Sequence, residues 1–137
     1  MFKKILSIAI VILCSSGAFA QKGQVWPTET RQEFDIGEDG KITKEYEVVN
    51  YPSYYLFINN NEFIHCTGTI TSLYKILKRN EGDGMVDYDV ISEAGNQYTF
   101  RFSTAENYVV ISTNKGYSIY MACKPYYTTT VFDNLNR

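Results

Sequence analysis

Short clusters of turn-forming residues cut this chain into segments too brief for anything but strands. Asp39-Gly40, Asn59-Asn60-Asn61, Glu81-Gly82-Asp83-Gly84, Ala94-Gly95-Asn96 and Asn114-Lys115-Gly116 supply residues that tolerate positive φ, as tight hairpins require. Between them lie segments rich in β-branched and aromatic residues: Gln32 to Ile36, Lys41 to Val49, Tyr54 to Asn59, Glu62 to Leu77, Met85 to Ser92, Gln97 to Ser103, Asn107 to Thr113 and Tyr117 to Lys124. Short links force neighbouring strands to run antiparallel. The expected fold is all-β: a small antiparallel meander of about eight strands, closed or nearly closed into a barrel, with a β-sandwich as the alternative.

Alternation assigns the faces. Tyr98, Phe100 and Phe102 share one side of their strand, opposite Thr99, Arg101 and Ser103. Ile64, Cys66, Ile70, Tyr74 and Ile76 read as an inward row, opposite His65, Thr67, Thr69 and Thr71, and Tyr117, Ile119, Met121 and Cys123 read as another. At about 3.3 Å per residue, a straight strand from Glu62 to Leu77 would run roughly 50 Å, beyond the usual strand, so Gly68 is the expected bend.

The first twenty residues pair Lys3 and Lys4 with an apolar run from Ile5 to Leu13 and end in Ala18-Phe19-Ala20. That is the pattern of a secretory signal peptide cut between Ala20 and Gln21, which makes the mature chain an exported protein, periplasmic or extracellular. The apolar run is too short to span a bilayer, and no transmembrane segment is expected. Cys14 raises the alternative of a lipid anchor, but bulky Ile12 and Leu13 precede it where such signals carry small residues. The resulting division is a signal peptide over 1–20, an N-terminal extension over 21–31, one β domain over 32–124, and a strand or tail over 125–137. With a formal net charge of −2 and no basic run, the chain offers no electrostatic case for nucleic acid or anionic membranes.

Candidate chemistry is sparse. His65 and Cys66 are adjacent, which on a strand sends them to opposite faces and argues against a catalytic dyad. In an exported protein, Cys66 and Cys123 on inward faces are expected to form a disulfide, stabilising by on the order of 4 kcal/mol. Ser72-Leu73-Tyr74-Lys75 matches a Ser-x-x-Lys pattern that needs a helix, where residues three apart share a face; on a strand the match is empty. Asp35-Ile36-Gly37-Glu38-Asp39-Gly40 mimics the start of a calcium loop, but Tyr46 stands where a bidentate glutamate belongs. Asp83, Asp87 and Asp89 read as acids on a solvent face. No metal, cofactor or catalytic residue is expected, and the protein reads as non-enzymatic.

Aromatic content is the unusual bulk feature, with twelve tyrosines and eight phenylalanines. Tyr51, Tyr54 and Tyr55 flank Pro52, while Tyr126 and Tyr127 follow Pro125, placing two tyrosine clusters near strand ends. They are the candidate surface for a ligand or a partner, since tyrosines there stack on a sugar ring or anchor a protein. Two functions follow: a binding protein for a small apolar or sugar-like molecule, or a protein-interaction module such as an inhibitor or envelope accessory protein. An enzyme is the third and least supported reading.

A leader followed by a compact meander of about eight strands resembles the calycin type of barrel, the lipocalin and avidin group. Gly23-Gln24-Val25-Trp26 is one residue longer than the Gly-x-Trp of a lipocalin first strand, and Val86-Asp87-Tyr88 partly echoes a later Thr-Asp-Tyr. The resemblance implies the architecture and carries over no binding residues.

Overall fold

The computed structural model describes residues 22–128, so the segment read as a leader, Cys14 and the end of the tail lie outside the described residues. Ten strands form one antiparallel sheet: β1 (Gln24–Ile36), β2 (Ile42–Glu45), β3 (Val49–Asn59), β4 (Glu62–Cys66), β5 (Thr71–Gly82), β6 (Met85–Ser92), β7 (Gln97–Ser103), β8 (Tyr108–Ser112), β9 (Gly116–Ala122) and β10 (Tyr126–Tyr127). Eight of them close a barrel in the order β1-β3-β4-β5-β6-β7-β8-β9, because β1 pairs with both β3 and β9. β2 and β10 are extra strands laid against the two ends of β1. The expected closed barrel is the observed one.

β1 bonds β3 along one edge and β9 along the other, and it carries a β-bulge where the two ladders overlap. Both ladders of β1 shift register between Thr28 and Thr30, and a bulge reverses which alternate residues face inward. Gly116 seats the start of β9 at the far end of this seam, opposite Asp35. A Cβ there would sit on the Phe34 carbonyl oxygen, so only glycine allows the approach.

Eight strands enclose a space just wide enough for side chains to fill, and aromatic rings fill it. Trp26, Tyr55, Phe57, Phe63, Tyr88 and Phe100 are almost completely buried. Phe102 contacts Trp26 at 5.2 Å, Phe57 at 5.1 Å and Phe63 at 5.5 Å between ring centroids. Edge-to-face pairs of this kind add to the burial term, which is about 1.5–3 kcal/mol for each large apolar side chain.

Several expectations are corrected. Residues 24–31, read as an extension, are part of β1. The stretch from Glu62 to Leu77 is not one bent strand: β4 and β5 form a hairpin whose turn is held by Thr67 N–H to the Ile70 carbonyl at 2.8 Å. Because Cys66 pairs with Thr71, the turn exchanges the parity of the faces. Tyr74 therefore points inward as expected, but on β4 the inward residues are Phe63 and His65 rather than Ile64 and Cys66. On β9 the buried residue is Tyr120, opposite Val109, while Met121 is exposed. Both faces of β9 are apolar in sequence, so the neighbouring ladders chose between them.

Gly116→Ala is expected to cost about 2 kcal/mol or more, through strain at the β1–β9 seam. Gly68→Ala should be close to neutral, since a Cβ there meets open space. Chemical denaturation of the two variants checks this; equal midpoints would refute the seam argument.

Candidate functional site

The two ends of the barrel differ in chemistry. At the end carrying the β3–β4, β5–β6 and β7–β8 turns, the interior is closed by Trp26, Phe57, Tyr88 and Phe102. At the other end, which holds the β1–β2, β4–β5, β6–β7 and β8–β9 connections, it turns polar. Arg31 faces inward there because it lies past the bulge, directly opposite Tyr120. Its guanidinium stacks over the Tyr51 ring at 4.5 Å to the centroid and bonds Glu33 Oε1 at 3.2 Å. Tyr51 and Tyr120 in turn meet edge to face at 6.0 Å.

Beneath this pair lies His65, 7% exposed. It stacks on Tyr55 at 4.1 Å, contacts Tyr120 at 5.3 Å, and its Nε2 lies 2.9 Å from Ser53 Oγ, which shares a hydrogen bond with Thr28 Oγ1. Half-buried Tyr74 and Tyr98 pack together at 5.9 Å across the same end. Arg31, Tyr51, Ser53, His65 and Tyr120 thus form a polar mouth above an aromatic plug.

The electrostatics follow from burial. Loss of water and the nearby Arg31 charge hold His65 down to about 4, so it is neutral at pH 7. Burial alone would lower the Arg31 guanidinium, but Tyr120 and Glu33 outweigh it and keep the charge in place. The Tyr55 phenol is pushed well up by burial, with the hydroxyls of Tyr120, Tyr74 and Tyr51 close by. Although Tyr120 stands near both, neither the Tyr55 hydroxyl nor Arg31 Nε has a partner at hydrogen-bonding geometry. Leaving a buried polar group unpaired costs about 1–3 kcal/mol, and Trp26 Nε1 and the Tyr88 hydroxyl at the closed end are unpaired in the same way. Outside the mouth runs an open groove of about 320 Å³ lined by Arg31, Glu33, Tyr46, Glu47 and Val49.

The residues singled out in sequence are dispersed by the fold. Tyr51 joins the mouth and Tyr55 is wholly buried, so Tyr55 is no surface residue. Tyr54 is 42% exposed on the outer wall near Tyr126, while Tyr127, the next residue on β10, is exposed on the opposite face, toward Tyr88. Cys66, which is buried, and Cys123, which is exposed, are free thiols. Both lie on the outer wall, in a row that runs Cys123, Pro27, Tyr54, Cys66 across neighbouring strands. Three strand spacings separate them by about 14 Å along the sheet, against the less than about 7 Å between Cα atoms that a disulfide needs. Cys66 instead accepts a hydrogen bond from Thr71 Oγ1 at 3.6 Å, and the Cys123 thiol donates to Glu29 Oε1 at 3.2 Å.

Asp87 is held by Arg101 at 2.7 and 2.9 Å, and Asp89 accepts from Thr99 at 3.3 Å. Among the described residues, no three His, Cys, Asp or Glu side chains gather as metal ligands, and no helix is long and apolar enough to cross a membrane. Sequence reasoning missed Arg31 and Tyr120. The only signal for them was a lone arginine in a segment of strand-type residues, and its facing depended on a bulge.

Fold and mouth together define a small closed β-barrel with a plugged interior and one polar end. No known protein family matches the chain, and neither characterised proteins nor solved structures provide a similar one.

His65 sets a pH dependence. Between pH 6.5 and 4 the unfolded chain takes up a proton on this residue that the folded chain refuses, so stability falls as the pH drops through that window. The loss is complete below 4 and amounts to about 3 kcal/mol. His65→Phe keeps the ring stack and should flatten this part of the stability profile. An unchanged slope in the variant would show that His65 is not the titrating group.

Proposed function

We propose that this is an exported, non-enzymatic binding protein whose ligand docks at the polar mouth. The observation that carries the reading is the contrast between the two ends. Aromatic rings pack the interior, while Arg31, Tyr51, His65 and Tyr120 converge at one opening. Ligand sites combine an apolar frame with a few convergent polar groups, and the mouth has that make-up. Export rests on the leader-like residues Met1 to Ala20. The resemblance to calycin barrels agrees with the eight-strand antiparallel closure and supplies no binding residues.

Native mass spectrometry of the protein purified from its own source tests this. The expected result is a polypeptide beginning at Gln21 that carries a discrete adduct, and loss of the adduct in Arg31→Gln at an unchanged fold. Bare protein in both cases would remove the reading.

A second reading has its own support on the outer wall, where Tyr54 and Tyr126 are 42% and 54% exposed. Clustered exposed aromatics are the usual anchors of a protein interface. If they anchor a partner, changing both to serine abolishes its capture from envelope extract, whereas undiminished capture rules the patch out.

A further inference from the structure

We propose that the mouth takes a neutral sugar, gripped through adjacent ring hydroxyls by Arg31, Glu33 and Glu47; the inference rests on the mouth being the binding site. The groove presents three kinds of wall. Arg31 offers donors only, Glu33 and Glu47 offer acceptors only, and Val49 with the Tyr46 ring offers apolar surface. A simple anion entering this groove meets two carboxylates, and a simple cation meets a guanidinium. An apolar ligand strands all three charges away from water, which is costly. Vicinal hydroxyls fit where these do not, since each hydroxyl donates one hydrogen bond and accepts others. Adjacent pairs can therefore bridge a guanidinium and a carboxylate while the C–H face of the ring rests on Val49 and Tyr46.

Two unpaired polar groups lie beside the groove, as two others, Trp26 Nε1 and the Tyr88 hydroxyl, do at the closed end. Arg31 Nε is buried without an acceptor. Tyr55, 0% exposed, keeps its hydroxyl unpaired among the hydroxyls of Tyr51, Tyr74 and Tyr120. A sugar oxygen in the groove meets the exposed part of the guanidinium, whose side chain is 28% exposed, and the phenols behind it form a second rank of hydroxyl groups. Tyr46 is held in place at the edge, its hydroxyl donating to Asp35 Oδ2 at 2.8 Å.

The test is titration of the ¹⁵N-labelled mature protein with neutral monosaccharides (glucose, galactose, mannose, N-acetylglucosamine) and their disaccharides. Glucuronic acid and octanoic acid serve as comparisons. The expected result is saturable shifts at Arg31 Nε–H and the Glu47 and Val49 amides for at least one neutral sugar, with a dissociation constant on the order of 1 mM. These shifts should be insensitive to ionic strength, because the ligand is uncharged. Glu47→Ala, on an exposed connection, should fold normally and weaken binding about tenfold, as loss of one hydrogen bond to a charged group implies. Arg31→Lys, which loses the fixed fork, should do the same. Shifts produced only by the acids overturn the sugar assignment and leave the mouth as a binding site. A mouth unmoved by any of these probes, together with bare protein in native mass spectrometry, overturns both.

Discussion

The bulge between Thr28 and Thr30 is the constraint on which the rest of the barrel depends. β1 must pair with β3 along its first half and with β9 along its second, and both ladders slip at that one point. The slip reverses the alternation. Ahead of it Trp26 and Thr28 point inward; past it Arg31 does, opposite Tyr120. The same local feature therefore lies at the closing seam and delivers a cation to the interior. Without it, Arg31 would face solvent and the mouth would hold only hydroxyls and rings. Bulges are often found beside functional sites because they re-aim a single side chain at little cost to the sheet.

Burial of the aromatic plug makes this arrangement tolerable. Large rings in edge-to-face contact supply the apolar area that holds a small barrel together. Against that background a few polar groups can be left imperfectly satisfied. His65 is kept neutral by desolvation and by the Arg31 charge, and Ser53 and Thr28 tie down its Nε2 side. Arg31 keeps its charge because Glu33 and Tyr120 face it. Two unpaired groups, the Tyr55 hydroxyl and Arg31 Nε, lie toward the polar end, and two more, Trp26 Nε1 and the Tyr88 hydroxyl, lie at the closed end. Binding sites are commonly where a fold departs from full internal satisfaction.

Much of the fold was legible in the chain. Turn residues and alternation located β6 and β7 to the residue, and short links implied antiparallel pairing and closure. Facing was less legible. Tyr98, Phe100 and Phe102 alternate with polar residues, so their side is unambiguous. Tyr117, Ile119 and Met121 alternate with Ser118, Tyr120 and Ala122, and the more apolar set lies outside. On β4 the inference failed because Gly68 was read as a bend; a hairpin at the same place exchanges parity and turns Cys66 outward. The expected disulfide failed with it.

Local chemistry in the sequence thus determined strand identity, turn positions and the all-β class, since these depend on backbone preferences and near neighbours. Tertiary structure alone decided which face of β4 and β9 is buried, that Tyr55 is interior while Tyr54 is not, and that Arg31 meets Tyr120 and His65. Those outcomes depend on register between strands distant in sequence. A shift of one residue inverts a whole strand, and no run of residues along the chain records which register its partner will impose.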